Sequence, residues 1–282
     1  MHLVSVIINS HNGSRYIKKA LNSLINQTYS NIEIIVWDNA STDSTKKIVK
    51  NFKNKKIKYF FSKKFEPLYT ARNNAIRKCN GKYICFCDVD DLYFPKKIEK
   101  QIISLIRHRK YVGYSNLFIC KNFNNQKIHY KKLPKQVKIN FNLLKNYHIC
   151  MVSLIFDSKI LKRLMFNSKY NFIGDFDLVI RLSKKFSFDY IHEPLAIYNI
   201  HEKNLSNTNQ LEHASEISEW IRHNRSILEK FNLKNQYKNM VIFLNNLDKI
   251  KKLNFYNFLF FMLKQPLSKN SLKLVFRYFK FI

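Results

Sequence analysis

The chain has 282 residues, 46% of them apolar and 24% charged, enough for one large domain or one domain with an appendage. Four Gly and five Pro exclude collagen-like and linker-rich chains, and 15% aromatics exclude intrinsic disorder. Fifty Lys and Arg against 19 Asp and Glu leave a net charge of +31, which calls for an anionic partner such as phosphate, phospholipid or nucleic acid.

Leu3–Asn9 is a β-branched apolar run without polar alternation, the pattern of a buried strand. It is too short for the apolar core of a secretory signal and has no cleavage site. Gly13-Ser14 opens a helix with Ile17, Ala20, Leu21, Leu24 and Ile25 at helical spacing. Ile32–Trp37 is a second strand, and Ser41 or Thr42 caps a helix with Thr45, Ile48, Val49 and Phe52 inward. A third strand, Ile57–Phe61, and a third helix, Leu68–Lys78, follow, with Gly81 expected as a left-handed helix terminator. Lys82–Cys87 is the fourth strand, and Pro95 starts a helix carrying Ile98, Ile102, Leu105 and Ile106. This alternation predicts an α/β fold, a mostly parallel twisted sheet flanked by helices and Rossmann-like in its first half. Ligands of such sheets bind beyond the carboxyl ends of the strands. There the polar clusters fall: Ser10-His11-Asn12, Asp38-Asn39 and Asp88–Asp91.

Farther along, 121–145 holds seven Lys and no acid and reads as a surface loop and hairpin. Ile149–Phe156 is expected as a strand, Asp175–Lys185 as a helix, and Phe188–Ile191 and Leu195–Ile200 as two short strands joined through Glu193-Pro194. After about residue 210 only helical patterns remain. The organisation expected is a catalytic domain over 1–208, with a nucleotide-binding half 1–105 and an acceptor-side half 106–208, then a basic, aromatic-rich helical tail over 209–282. The five Cys have no regular spacing, so buried thiols in a reducing, cytoplasmic compartment are expected rather than a disulfide framework.

Asp88-Val89-Asp90-Asp91 is the sharpest local signal. Three carboxylates within four residues raise one another's affinity for protons unless a cation compensates. Mg²⁺ or Mn²⁺ is suited to one or two such carboxylates together with substrate phosphates. Alternatively, the acids charge the N-terminus of the helix after Pro95.

Five segments in order carry a resemblance. They are Val4–Asn12; Ala20–Tyr29, with Gln27-Thr28-Tyr29; Glu33–Asp43, with Asp38-Asn39-Ala40-Ser41-Thr42-Asp43; Ala71–Ile76; and Gly81–Asp91. Together they resemble the family 2 glycosyltransferases of the GT-A fold, closely to about residue 105 and patchily to 206. The resemblance implies that Asp38 accepts the N3–H of uracil, that Asn9, Ser10 and Asn12 line the nucleoside pocket, and that Arg72 contacts the diphosphate or the nucleoside wall. Asp88 and Asp90 match the family's paired DXD carboxylates, Asp90 as direct metal ligand and Asp88 nearer the ribose, with Mn²⁺ or Mg²⁺ as the cofactor. In Gly174-Asp175-Phe176-Asp177-Leu178, Asp175 stands at the family's general base, with Gly174 where Glu is usual. As a helix N-cap Asp175 would have a purely local role. Tyr198-Asn199-Ile200-His201 with Leu205-Ser206 resembles the family's Tyr-Arg-x-His…Ser element, making His201 a ligand of the metal or the diphosphate, with Asn199 where Arg is common.

The resemblance thus implies an inverting transferase that moves a sugar from a nucleotide-sugar, a UDP-sugar by the family's habit, to a glycan or lipid-linked acceptor in bacterial surface-glycan assembly. The alternatives are a non-catalytic basic module for lipid or nucleic acid, or a degenerate transferase subunit. No nucleic-acid motif accompanies the charge, so nucleic acid is not an expected partner. Residues 230–282 hold 11 Lys and Arg, one acid and 12 aromatics. Lys269, Lys273, Arg277 and Lys280 share one helical stripe beside Leu272, Val275, Phe276 and Phe279, the pattern of a helix lying on an anionic membrane surface or packing on the catalytic domain. The expected location is cytoplasmic and peripheral to the inner membrane face.

Overall fold

The computed structural model describes residues 1–130, 143–145, 147–202, 204 and 209–251. By their contacts they fall into two units, Met1–Asn140 with His148–His201, and Phe141–Tyr147 with Glu202–Ile282. Residues 141–147 join the C-terminal unit because Tyr237 Oη and Gln236 Nε2 donate to the Leu144 and Lys145 carbonyls at 2.8 and 2.9 Å.

The larger unit opens with β1 (Val4–Ser10), α1 (Ile17–Ile25), β2 (Ile32–Asn39), α2 (Thr45–Asn51), β3 (Ile57–Ser62), α3 (Leu68–Arg77) and β4 (Tyr83–Phe86). β5 (Leu92–Tyr93), α4 (Lys97–His108), β6 (Val112–Lys121) and β7 (Asn124–Ile128) follow. After a 3-10 turn at Met151–Ser153 come β8 (Leu154–Asp157), α5 (Ser158–Leu164), α6 (Gly174–Ser183) and β9 (Asp189–Ile200). The strands form one sheet in the order β3-β2-β1-β4-β8-β6-β9-β5, with β7 beside β6. β3, β2, β1 and β4 are mutually parallel; beyond β4 the sheet is mixed. Ile8, Ile34, Val36 and Cys85 lie in a core with Ile17, Leu21 and Leu24 of α1, while Ile7, Ile35, Ile84 and Phe86 are also buried. Both faces are therefore covered, which is why these strands read as unbroken apolar runs.

The chain runs β1, β2, β3 in one direction across the sheet and then returns to place β4 on the other side of β1. That reversal opens a crevice at the carboxyl ends of β1 and β4.

Three expectations need correction, and one helix carries no mark in the sequence. Gly81 has no positive φ; it is small because a Cβ there would lie 2.5 Å from Ser5 N, so the glycine lets the chain close onto β1. Residues 149–156 are not one strand: Ser153 N–H turns back to the Cys150 carbonyl at 2.9 Å, and the strand begins at Leu154. Residues 188–191 and 195–200 are one strand, β9, whose register against β6 shifts at Asn116 opposite Pro194, absorbing the missing N–H. α5 had no clear periodic signal, being short and capped by the Asp157 side chain.

The smaller unit contains α7 (Gln210–His223), α8 (Arg225–Lys230) and α9 (Lys234–Lys251), with Trp220 stacked on Tyr237 at 5.7 Å. The stripe from Lys269 to Lys280, the Leu205-Ser206 pair and most of the lysine-rich loop lie outside the described residues.

Candidate active site

β1 ends at Asn9 and Ser10, both buried. Among the described residues the Asn9 side-chain amide and the Ser10 hydroxyl have no hydrogen-bond partner. Unsatisfied polar atoms at a strand's carboxyl end are costly unless a ligand meets them. Gly13 closes the turn: a Cβ there would lie 2.3 Å from Ser10 Oγ and 2.7 Å from Val89 Cγ2, so only glycine brings α1 against the acidic loop. Asn12, at φ 51°, accepts the Thr42 N–H on Oδ1 at 2.8 Å, and its own N–H donates to Ser41 Oγ at 2.8 Å. It clamps the loops after β1 and β2 together.

Asp38 ends β2 with 0% exposure, accepting from Ser41 N–H on Oδ1 at 2.9 Å and from Tyr59 Oη on Oδ2 at 2.6 Å. Burial, then the hydrogen bond to Asp38, pushes the Tyr59 phenol up, so it stays a donor. Both oxygens that the resemblance assigns to a base N3–H thus already accept a hydrogen bond. Asn39 instead reaches across to the Glu66 backbone, donating at 2.8 Å and accepting at 3.0 Å, and so fixes the approach to α3. Ala40 adopts φ 58°, a left-handed conformation that favours glycine.

The three carboxylates after β4 have three different fates. Asp88 takes both oxygens to Arg72 Nη2, at 2.6 and 2.8 Å. Arg72 is not a solvated helix arginine: it is 3% exposed, with its guanidinium 5.4 to 5.8 Å from the Tyr69, Phe86 and Phe166 ring centres. Burial opposes its charge, but Asp88 beside it more than restores it, so Arg72 is a permanent cation. Asp90 Oδ2 meets His201 Nε2 at 2.7 Å, and the imidazole is stacked on Tyr16 at 5.1 Å. Asp91 is buried and accepts the Asn199 N–H at 3.0 Å, and its Oδ2 has no partner among the described residues. Burial, then the charges of Asp90 and Asp88, pushes its carboxyl well up. Asn199, in the position where arginine is common, is wholly buried and accepts the Phe123 N–H at 2.8 Å, tying the β6–β7 turn to the acidic loop.

Asp175 lies in the first turn of α6, partly exposed. Its Oδ1 accepts from Phe176 N–H at 2.7 Å and from Tyr69 Oη at 3.2 Å. Burial raises its proton affinity; the Arg72 charge, the Phe176 amide and the Tyr69 hydroxyl oppose this without cancelling it. One line of contacts therefore joins the two acidic centres: Asp175 to Tyr69, the Tyr69 ring to Arg72, and Arg72 to Asp88. Tyr69 and Tyr16 are the residues that sequence reasoning missed. Tyr69 stands three positions before Arg72 on one helix face, a spacing that could have flagged it; nothing in the sequence marks Tyr16.

Among the described residues no group of three or more His, Cys, Asp or Glu could hold a metal. Asp90 and His201 are brought together, and one carboxylate with one imidazole is a donor set that suits Mn²⁺ or Mg²⁺ when diphosphate oxygens complete the shell.

The chain matches the sequence model of Glycosyl transferase family 2 over residues 5–165. It is 30% identical over 257 residues to an uncharacterized glycosyltransferase of Methanocaldococcus jannaschii, covering 86% of this chain and 82% of the relative. It is 33% identical over 166 residues to the UDP-Glc:alpha-D-GlcNAc-diphosphoundecaprenol beta-1,3-glucosyltransferase WfgD of Escherichia coli, covering 58% of this chain and 64% of that one. Among solved structures, S. aureus TarS 1–349 in complex with UDP-GlcNAc superposes with TM-score 0.63 at 17% identity, over 90% of this chain and 76% of that one. The mannosyltransferase of Pyrobaculum calidifontis in complex with GDP-Man and Mn²⁺ superposes with TM-score 0.56 at 15% identity, over 78% of this chain and 64% of that one. These structural likenesses establish the GT-A type of fold.

Proposed function

This chain belongs to glycosyl transferase family 2 and is a glycosyltransferase, and from that premise we propose that it transfers a sugar from a UDP-sugar to a glycan or lipid-linked acceptor with inversion, in surface-glycan assembly. The observation that carries the reading is the contact line from Asp175 through Tyr69 and Arg72 to Asp88, which links a carboxylate of raised proton affinity to the acidic loop of the strand-end crevice. The donor class rests on the Escherichia coli relative named for UDP-Glc and on the TarS complex with UDP-GlcNAc.

Asn9, Ser10 and Asn12 line the nucleoside pocket, with the unpartnered groups of Asn9 and Ser10 as its hydrogen-bonding wall. Asp38 shapes the base side through Ser41 and Tyr59. Asp88 faces the ribose, and Arg72 supplies fixed positive charge beside the diphosphate. Asp90 and His201 would hold Mn²⁺ or Mg²⁺, which when bound would supply Lewis-acid stabilisation to the leaving nucleoside diphosphate. Asp175 accepts the proton of the acceptor hydroxyl as that oxygen bonds to the anomeric carbon; the bond from this carbon to the diphosphate breaks, and UDP leaves from the opposite face. Raised proton affinity strengthens Asp175 as a base.

We place the enzyme peripherally on the cytoplasmic membrane face through its basic C-terminal residues. The net charge of +31 and a relative named for a diphosphoundecaprenol-linked acceptor support this. Among the described residues no helix is long and apolar enough to cross a membrane. Calorimetry with UDP, GDP and CDP, each with and without Mn²⁺, tests the donor class. UDP binding that needs Mn²⁺ and disappears in Asp90→Asn supports it; no binding by any nucleotide overturns it. Sedimentation of the full chain with anionic vesicles at low salt tests the membrane placement, and indifference to them overturns it.

A further inference from the structure

We propose that Tyr69 is a positioning residue for Asp175, and that Gly174 is bare because the Tyr69 ring occupies the space a side chain would need. The proposal rests on the reading of Asp175 as the base.

Tyr69 is 2% exposed. A Cβ at Gly174 would stand 2.4 to 2.6 Å from three Tyr69 ring carbons, closer than any real Cβ contact, so even alanine displaces the ring. Gly174 has no positive φ, so close approach rather than backbone conformation demands the glycine. Phe166, at 5.1 Å, packs on the ring, and the Arg72 guanidinium lies 5.4 Å from its centre. Held there, the Tyr69 hydroxyl reaches Asp175 Oδ1 at 3.2 Å and the Phe172 carbonyl at 3.3 Å.

With the Phe176 amide, Tyr69 gives Oδ1 two donors. Both of these hydrogen bonds fall on Oδ1, and Oδ2 is the oxygen left for a substrate proton. Burial and the Asp175 charge push the Tyr69 phenol well up, so it donates throughout the working range. The titratable and charged groups facing Asp175 are Tyr69 and Arg72 of α3, Asp88 after β4, and Cys150, whose thiol burial pushes up to about 12. Of these, Tyr69 alone hydrogen-bonds the carboxylate, so it fixes which oxygen faces the acceptor. A donor to the ionised form favours that form.

The test titrates Asp175 directly in the full chain labelled with ¹³C at the aspartate carboxyls, with Asp175→Asn identifying its resonance. In Tyr69→Phe the Asp175 midpoint should move to higher pH. The acid limb of UDP release from a UDP-sugar should move with it, with kcat falling about tenfold and Mn²⁺-dependent UDP affinity unchanged. Gly174→Ala should move the midpoint in the same direction in the native background and leave it unmoved in a Tyr69→Ala background, where no ring remains to displace. An unmoved midpoint in Tyr69→Phe overturns the proposal, as does an equal Gly174→Ala effect in both backgrounds. Full UDP release by Asp175→Asn would instead overturn the base assignment, and the titration reports independently of it.

Discussion

The two acidic centres of the crevice are built on different physics. Asp88 faces a buried guanidinium, whereas Asp175 is hydrogen-bonded by a phenol and a backbone amide and meets Arg72 only through its field. Arg72 is held cationic by Asp88, so its positive charge does not change with pH. At Asp175 burial dominates and raises the proton affinity of the carboxyl. One side is suited to holding a diphosphate, the other to moving a proton. Tyr69 and Arg72, one helical turn apart on α3, serve one side each.

The harshest way to break the contrast is Asp175→Asn, which should lower sugar transfer roughly 100- to 10,000-fold while UDP binding by calorimetry stays intact. The same variant removes a partly buried charge, so its melting temperature at pH 7 should match or exceed that of the native protein. Arg72→Met should remove the fixed cation and leave Asp88 unpaired. We expect a loss of about 2–4 kcal/mol in denaturant unfolding, at the lower end because Asp88 is one-third exposed. Asp90→Asn should weaken UDP binding in Mn²⁺ at least about tenfold.

The pH dependence sharpens the contrast. Asp175 binds its proton more tightly folded than unfolded. Activity should therefore fail on the acid side at higher pH than an ordinary aspartate would impose. The contribution of Asp175 to stability should instead grow as pH falls through its folded-state midpoint toward the ordinary value of 3.8. Comparing the pH profiles of melting temperature for native protein and Asp175→Asn isolates that term. The smallest effect is Ala40→Gly. At φ 58° it should relieve strain and gain about 0.5–1 kcal/mol in thermal unfolding.

The first four strands and the loops behind them were legible because each is a local pattern: an apolar run rich in β-branched or aromatic residues, closed by polar residues at its carboxyl end. Val4–Ser10, Ile32–Asn39 and Tyr83–Phe86 needed only that rule. β9 was not legible as one strand, because Pro194 reads as a break unless β6 supplies the register shift that accommodates it. Gly81 and Gly174 looked like a turn former and a departure from a motif. Both are bare because another element lies within 3 Å of where a Cβ would stand.

By itself the sequence determined the strand–helix alternation, the polar loops at strand ends and the identity of the carboxylates, all of which follow from local periodicity and side-chain chemistry. Tertiary structure alone decided what each carboxylate does. Asp88 meets Arg72 at a separation of 16 residues, Asp175 meets Tyr69 at 106, and Asp90 meets His201 at 111. The proton affinity of an acid depends on its burial and on the charges within a few ångströms, and no local pattern encodes neighbours that distant in the chain.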